Sequence, residues 1–483
     1  MAGRSDSRVL VIGLDSAPPA LVFEQFRDVL PNLSGLMRDG VWGPLRSCVP
    51  AITVPAWMTG YTSKDPGQLG IYGFRNRADH SYTAMAMADS SRVAEPTVWD
   101  ILARYGQQSV TVGIPPAFPP KPIQGCSVGC FLTPSTTRGR FTYPEGLGAE
   151  INGLVGEYVV DVPNFRSDDK DYILRSCYEM TEKRFAVVKR LMRSKAWDFF
   201  GFVEIGVDRM HHGFWKDHDP THHKHEPGGR FRDAIRDYYR YVDGLIGGIL
   251  EEADERTTVL VASDHGAKKM DGGICINEWL IEAGYLALKQ RPTSLTPFAK
   301  LDVDWARTVA WGEGGYYGRV FLNVEGREPS GAVPAARYEA VRDELAEALA
   351  NIPDDKGRAL GTKVFRPDRL YRATRNVAPD LMVYFDDLNW RSVGSVGHGG
   401  IYTFENDTGP DDANHAEDGI FILRGPGIPP RGEVSGRQLL DLAPTILERF
   451  GHPIPPDMQG RSLLDDRDAK GRSELTRALI AES

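Results

Sequence analysis

The sequence predicts an α/β fold, a sandwich of helices around a mostly parallel central sheet, on three observations. Short apolar runs of strand length recur along the 483 residues, amphipathic stretches of helical period separate them, and several runs end on Asp or His. Alternation of this kind argues for helices packed on both faces of one sheet. With 41% hydrophobic and 25% charged residues, the chain has enough apolar side chain to bury a large core.

In chain order, Val9-Leu10-Val11-Ile12-Gly13-Leu14 opens the first strand. Further strands are expected at 109–113, 198–204, 257–262, 381–385 and 419–423. Helices are expected at 98–105, 171–193, 230–252, 335–351 and 438–450. In the second of these, Ile173, Cys177, Met180, Phe185, Val188 and Leu191 recur at helical intervals and mark one buried face. Two stretches break the rhythm. Residues 114–168 are rich in Pro, Gly, Thr and Ser and read as a long surface excursion. Residues 286–375 read as an inserted smaller subdomain or lid, leaving 1–285 and 376–483 as the catalytic core.

Charge and cysteine usage narrow the function classes. A net charge of −9 and a pI near 5.7 leave no basic surplus for a nucleic-acid polymer or an anionic membrane. An anionic substrate must then be met by local cations or metals. Five cysteines at irregular spacing do not form a disulfide framework. The first seven residues run straight into a strand, and no run of about 18 apolar residues occurs. The expectation is a cytoplasmic enzyme without a membrane partner, its oligomeric state unset.

Chemistry-bearing residues cluster at the ends of apolar runs. Asp15 follows the first strand, Asp264-His265-Gly266 follows 257–262, and Asn414-His415 precedes 419–423. Asp208 and His212 stand four apart, and Thr53 lies in Pro50-Ala51-Ile52-Thr53-Val54-Pro55-Ala56-Trp57. Carboxylates and imidazoles delivered at buried strand ends converge in a cleft, where they suit a metal. Alone, each pair is equally a capped turn or a hydrogen-bonded imidazole, and Thr53 equally a helix N-cap.

In order and content this set resembles the two-metal centre of the alkaline phosphatase superfamily, in its type I phosphodiesterase/nucleotide pyrophosphatase branch. Thr59-Gly60, Pro66-Gly67-Gln68-Leu69-Gly70-Ile71-Tyr72-Gly73-Phe74, Thr97-Val98-Trp99-Asp100 and Asp441-Leu442-Ala443-Pro444-Thr445 extend the similarity over nearly the whole chain. The resemblance implies an alkaline-phosphatase-like α/β/α sandwich. It also implies one divalent ion on Asp208, His212 and His415, another on Asp15, Asp264 and His265, and Thr53 as nucleophile between them. Nitrogen and carboxylate donors without cysteine suit zinc first and manganese second. His398, in Gly397-His398-Gly399-Gly400, is the rival to His415 as sixth ligand.

The expected substrate is a small-molecule phosphate ester. Many relatives hold a phosphoryl oxygen with an asparagine some twenty residues past the nucleophile, and Phe74 stands near that place here. Arg75 or Asn76 is then expected to make the phosphate contact, with Lys268 as a further cation. Trp57, with Trp311, Tyr316 and Tyr317, is expected to form a stacking wall. Asp217-His218-Asp219 with His222, His223 and His225 reads as a loop-ordering tract rather than a metal site. Cys48-Val49-Pro50-Ala51-Ile52 begins like a sulfatase signature, but Ile52 replaces its required arginine. The remaining alternatives are a phosphomonoesterase or phosphomutase of the same superfamily and, from another class, a catalytically silent metal-stabilised binding protein.

Overall fold

A computed structural model describes residues 7–465. Its central sheet has ten strands. From one edge the order is Gly432–Glu433, Val41–Arg46, Asp418–Arg424, Thr257–Ala262, Arg8–Leu14, Phe199–Glu204, Ser109–Val112, Gly125–Val128 and Thr142–Tyr143, with Arg437–Gln438 also paired to Val41–Arg46. The middle strands are parallel, as in Val9↔Phe199 and Val9↔Thr258. Asp418–Arg424 is wedged antiparallel between Val41–Arg46 and Thr257–Ala262. Its beginning therefore lies at the same sheet edge as the carboxyl ends of its neighbours.

Both faces of the sheet are covered. Leu10, Ile12 and Leu14 pack with the helices Lys170–Ser194, Gly206–His218 and Ala234–Leu250. Val9 and Val11 point the other way, toward Thr53–Thr62, Val98–Arg104 and Leu442–Arg449. This two-residue alternation splits one strand between two cores. It also explains why Thr257–Ala262 and Phe199–Glu204 are buried at every position and read as continuous apolar runs.

Two sequence expectations differ from the structure. The stretch 114–168 contributes Gly125–Val128 and Thr142–Tyr143 to the sheet edge, so it is not only a surface excursion. Cys126, Ser127 and Val128 are buried between prolines that sit outside the ladder. The run expected at 381–385 joins a smaller four-stranded sheet, ordered Ala310–Glu313, Gly318–Leu322, Leu381–Tyr384, Lys363–Phe365. Its helices Ile276–Glu282 and Tyr338–Ala350 share a separate core with Trp311, Phe321 and Leu345. Among the described residues no helix is long and apolar enough to cross a membrane.

Candidate metal centre

Five of the seven residues in the predicted centre follow the carboxyl ends of parallel strands. Asp15 comes directly after Arg8–Leu14, and Asp264 and His265 come just after Thr257–Ala262. Asp208 sits in the first turn of Gly206–His218, the helix that follows Phe199–Glu204. His212, one turn on, lies on the same helix face. Thr53 follows Val41–Arg46, and His415 leads into Asp418–Arg424. The topology thus delivers all seven residues to one edge of the sheet.

Ligand atoms of Asp208, His212 and His415 lie within 4.8 Å of one another, as do those of Asp15, Asp208 and His265. Asp208 is common to both groups. Asp264 Oδ2 completes the second, 3.2 Å from His265 Nε2. His398 lies outside these groups, its Nε2 2.9 Å from Ser395 Oγ.

Each histidine presents the same nitrogen to the centre. Nδ1 lies 2.6 Å from Asp411 Oδ1 in His212, 3.0 Å from the Gly266 carbonyl in His265 and 2.7 Å from the Ala51 carbonyl in His415. A proton on each Nδ1 satisfies these acceptors and leaves Nε2 with a lone pair facing inward. Burial pushes His265 down to about 4 and drives His415 well below the usual histidine range, so both rings are neutral donors at neutral pH. In His212, burial is outweighed by Asp411, Tyr316 and Asp208, which raise it.

The carboxylates are held from behind. Trp57 Nε1 donates to Asp15 Oδ2 at 2.8 Å, and the Ser16 backbone N–H donates to Asp264 Oδ1 at 3.1 Å. Arg209 donates to Asp208 Oδ2 at 2.6 Å while gripping both oxygens of Asp161. The inward oxygens Asp15 Oδ1, Asp208 Oδ1 and Asp264 Oδ2 are buried without any hydrogen-bond partner. Burial, then the neighbouring Asp208 charge, raises Asp15 well above the carboxylate range; burial and then Asp15 do the same to Asp264. Burial also pushes Asp208 upward, but His212, Arg209 and His415 reverse the sign and hold it low. Three buried inward oxygens beside the neutral rings of His265 and His415, with His212 joining on loss of its Nε2 proton, form a donor set that fits divalent cations, which remove the cost of burying the charge.

Thr53 lies against this set, its Oγ1 3.3 Å from His265 Nε2. It is the first residue of Thr53–Thr62, whose N-cap is Ile52, and no side chain caps that end. Its hydroxyl is therefore not spent on capping. The helix is buried along its whole length, and Pro55 falls in the first turn, where its missing N–H costs nothing.

The expected substrate contacts resolve differently. Trp57 is fully buried and holds Asp15, so it is not part of a stacking wall. Gly13 makes that possible, because a Cβ there would stand 2.7 Å from the indole. Asn76 spends its amide on the Tyr72 N–H and the Gly73 carbonyl. Lys268 pairs with Asn414 in the antiparallel ladder and so points to the opposite face from His415; it donates to the Asp387 carbonyl at 2.6 Å. Arg75 is exposed on a hairpin and, among the described residues, makes no hydrogen bond to the ligands. Trp311 is buried in the core of the smaller four-stranded sheet, and Tyr317 donates to the Tyr72 carbonyl. Tyr316 stacks on the centre's histidines, its ring centroid 4.1 Å from that of His415 and 5.1 Å from that of His212. Asp411 and Arg209 have no signal in the sequence beyond their nearness to His415 and Asp208. The histidine tract orders its loop, with His222 Nε2 3.1 Å from the Asp412 carbonyl and His225 Nδ1 2.7 Å from that of Lys216.

Comparison with known proteins bears on the fold and the family. No curated protein matches the sequence significantly. Human ectonucleotide pyrophosphatase/phosphodiesterase 5 has the same fold at 13% identity, with a TM-score of 0.56 over 93% of this chain and 96% of that one. The murine protein superposes equally well at 14% identity, again with 93% and 96% coverage. An inactive threonine-to-alanine variant of the murine protein, in complex with AMP, superposes with a TM-score of 0.54 at 13% identity, covering the same shares. Residues 9–411 match the family model described as type I phosphodiesterase/nucleotide pyrophosphatase. The chain belongs to that family and is a phosphoric ester hydrolase.

Proposed function

We propose that this protein is a phosphodiesterase or nucleotide-pyrophosphatase-type enzyme that uses Thr53 as a covalent nucleophile at a centre of two divalent ions, zinc by preference. The observation that carries the reading is the set of three buried inward carboxylate oxygens beside the Thr53 hydroxyl, which contacts His265 and caps no helix. Asp208, His212 and His415 would hold one ion and Asp15, Asp264 and His265 the other. Divalent ions bound there supply Lewis acidity, lowering the pKa of nearby hydroxyls and offsetting phosphoryl charge.

The chain's own groups account for the rest. Thr53 Oγ1 attacks phosphorus in line and expels the leaving alcohol or phosphate, forming a phosphothreonine that water then hydrolyses. The amino end of Thr53–Thr62 directs its partial positive charge at the phosphoryl group through both displacements. Asp411, Arg209 and Trp57 fix the orientation of His212, Asp208 and Asp15, so the ligands need not reorganise during the reaction. A cavity of about 790 Å³, walled in part by Phe131, Phe165 and Arg166, adjoins the His212 side and has room for the organic portion of a small ester. The murine neighbour, inactive as a threonine-to-alanine variant yet in complex with AMP, supports the same division between binding and chemistry.

Stereochemistry tests the covalent route. Two successive in-line displacements each invert phosphorus, so a chiral thiophosphate diester should give net retention. Inversion would exclude Thr53 as nucleophile and leave direct attack by water. Relative rates on mono- and bis-(4-nitrophenyl) phosphate then separate the diesterase from a monoesterase or phosphomutase.

A further inference from the structure

Arg391 is the least satisfied charged group near the centre. It lies on the strand Trp390–Val393 with only 4% of its surface exposed. Its Nε and Nη1 have no hydrogen-bond partner, and its nearest carboxylate oxygen, Asp411 Oδ2, is 3.9 Å away. Other buried arginines here are committed. Arg184 donates to the carbonyls of Val203 and Val160, Arg209 binds Asp161 and Asp208, and Arg342 binds Asp368 and Glu339. A guanidinium carries five donors, and leaving them unmet in the interior is costly.

The carboxylates around Arg391 are engaged by other donors. Asp411 already accepts from His212 Nδ1 at 2.6 Å and from Arg166 Nε at 3.1 Å. Asp407 accepts from Ser395 Oγ at 2.8 Å. Arg166 also donates to the Tyr316 hydroxyl, which leaves that hydroxyl's own proton free for another acceptor. Both guanidinium groups sit near the Tyr316 ring, Arg166 at 5.7 Å and Arg391 at 5.8 Å from its centroid. The same ring stacks on His415. Arg166, with its side chain 26% exposed, lines the 790 Å³ cavity. Arg391, with two unpartnered nitrogens, and the cavity-lining Arg166 therefore flank one aromatic ring, and that ring stacks on His415.

We propose that Arg166, Arg391 and the Tyr316 hydroxyl form an anion subsite, so that the substrate is a phosphate ester whose remaining portion carries a second anionic group, a phosphate or a carboxylate. This deepens the reading above and rests on it for the placement of the first phosphoryl group. Charge-assisted hydrogen bonds from a planar fork are the chemistry that recognises either group.

The test is binding of non-hydrolysable alkylphosphonates to the metal-loaded protein by calorimetry. Ethylphosphonate is compared with ω-carboxyalkyl- and ω-phosphonoalkylphosphonates of graded chain length. At some length the terminal anion should tighten binding by about tenfold or more, the scale of one charge-assisted contact. Preference for the carboxylate or the phosphonate series identifies the group. Arg391→Gln and Arg166→Gln should each shrink that increment toward one, and Arg391→Lys should restore part of it. Should the buried Arg391→Gln variant fail to fold, the more exposed Arg166→Gln decides. No gain from a terminal anion at any length, or a gain that both variants keep, overturns the subsite and leaves Arg391 solvated by water. Hydrolysis of bis-(4-nitrophenyl) phosphate is measured separately. Anion-dependent binding without turnover would sink the hydrolytic reading while sustaining the subsite.

Discussion

The Asp411 carboxylate lies 2.6 Å from Nδ1 of His212, and both side chains are buried. This contact fixes which nitrogen of His212 faces Asp208, and under the proposed ligand assignment it would raise the ring's strength as a donor to a cation. Asp411→Asn keeps the shape but removes the charge. Metal affinity should fall by roughly 10- to 100-fold, the usual cost of losing such a support. Metal titration followed by fluorescence or calorimetry reads this directly, and unchanged affinity would reduce Asp411 to a packing role.

Thr53→Ala should abolish covalent turnover, a loss of several powers of ten, with ion content and thermal stability close to wild type. The hydroxyl has no capping duty, so the helix should tolerate its loss. Thr53→Ser should keep part of the rate. Rapid-quench detection of phosphorylated protein from wild type, and its absence from the alanine variant, completes the measurement.

Ion loading should release protons. In the metal-free protein, burial raises Asp15 and Asp264 well above the ordinary carboxylate range, and Asp411 and Tyr316 outweigh burial to raise His212. Each must give up its proton to become a ligand, so affinity should climb with pH and fall in acid. Calorimetry in buffers of different ionisation enthalpy counts the protons, while elemental analysis should find two ions per chain. A pH-independent affinity would contradict the ligand assignment.

His211 gives the fold its own acid sensitivity. It is fully buried, with Nε2 3.2 Å from the Tyr239 hydroxyl and Nδ1 unpartnered. Burial lowers it to about 3 from an ordinary 6.5. Between these values the unfolded chain binds a proton that the folded chain refuses. Stability is therefore complete above pH 6.5 and declines as pH falls toward 3, by about 1.4 kcal/mol per unit at most. Denaturant midpoints for wild type and His211→Phe should diverge across that window, with the variant the flatter of the two.

The candidate ligands were legible because buried parallel strands must end somewhere, and a charged residue at such an end stands out against the apolar run. Asp15 and Asp264-His265 carry that contrast in one dimension. Asp411 does not, because its meaning comes from a meeting with His212 across 199 positions of sequence. The helix Gly206–His218 is hidden for the opposite reason: Asp208, Arg209, His211 and His212 are buried, so polarity ceases to mark the outer face. Trp57 misleads by composition, since an aromatic four residues from a nucleophile suggests stacking. Only the apposition of Gly13, in the strand that leads to Asp15, shows the indole reaching across to that carboxylate. The run Leu381–Tyr384 is equally apolar in either sheet, and nothing local chooses between them.

The antiparallel wedge Asp418–Arg424 has a consequence for biosynthesis. Its insertion between Val41–Arg46 and Thr257–Ala262 carries His415 to partners that left the ribosome long before. Until it arrives, the two flanking strands present open edges, and the carboxylates of residues 15, 208 and 264 repel one another without a full complement of nitrogen donors. Pairings of such long sequence separation form late and slowly. Under the proposed ligand assignment, ion capture would act as a completeness check: a chain stalled or clipped before residue 415 should remain metal-poor and dependent on chaperones, whereas the finished polypeptide would close the sheet and the candidate ion site in one event.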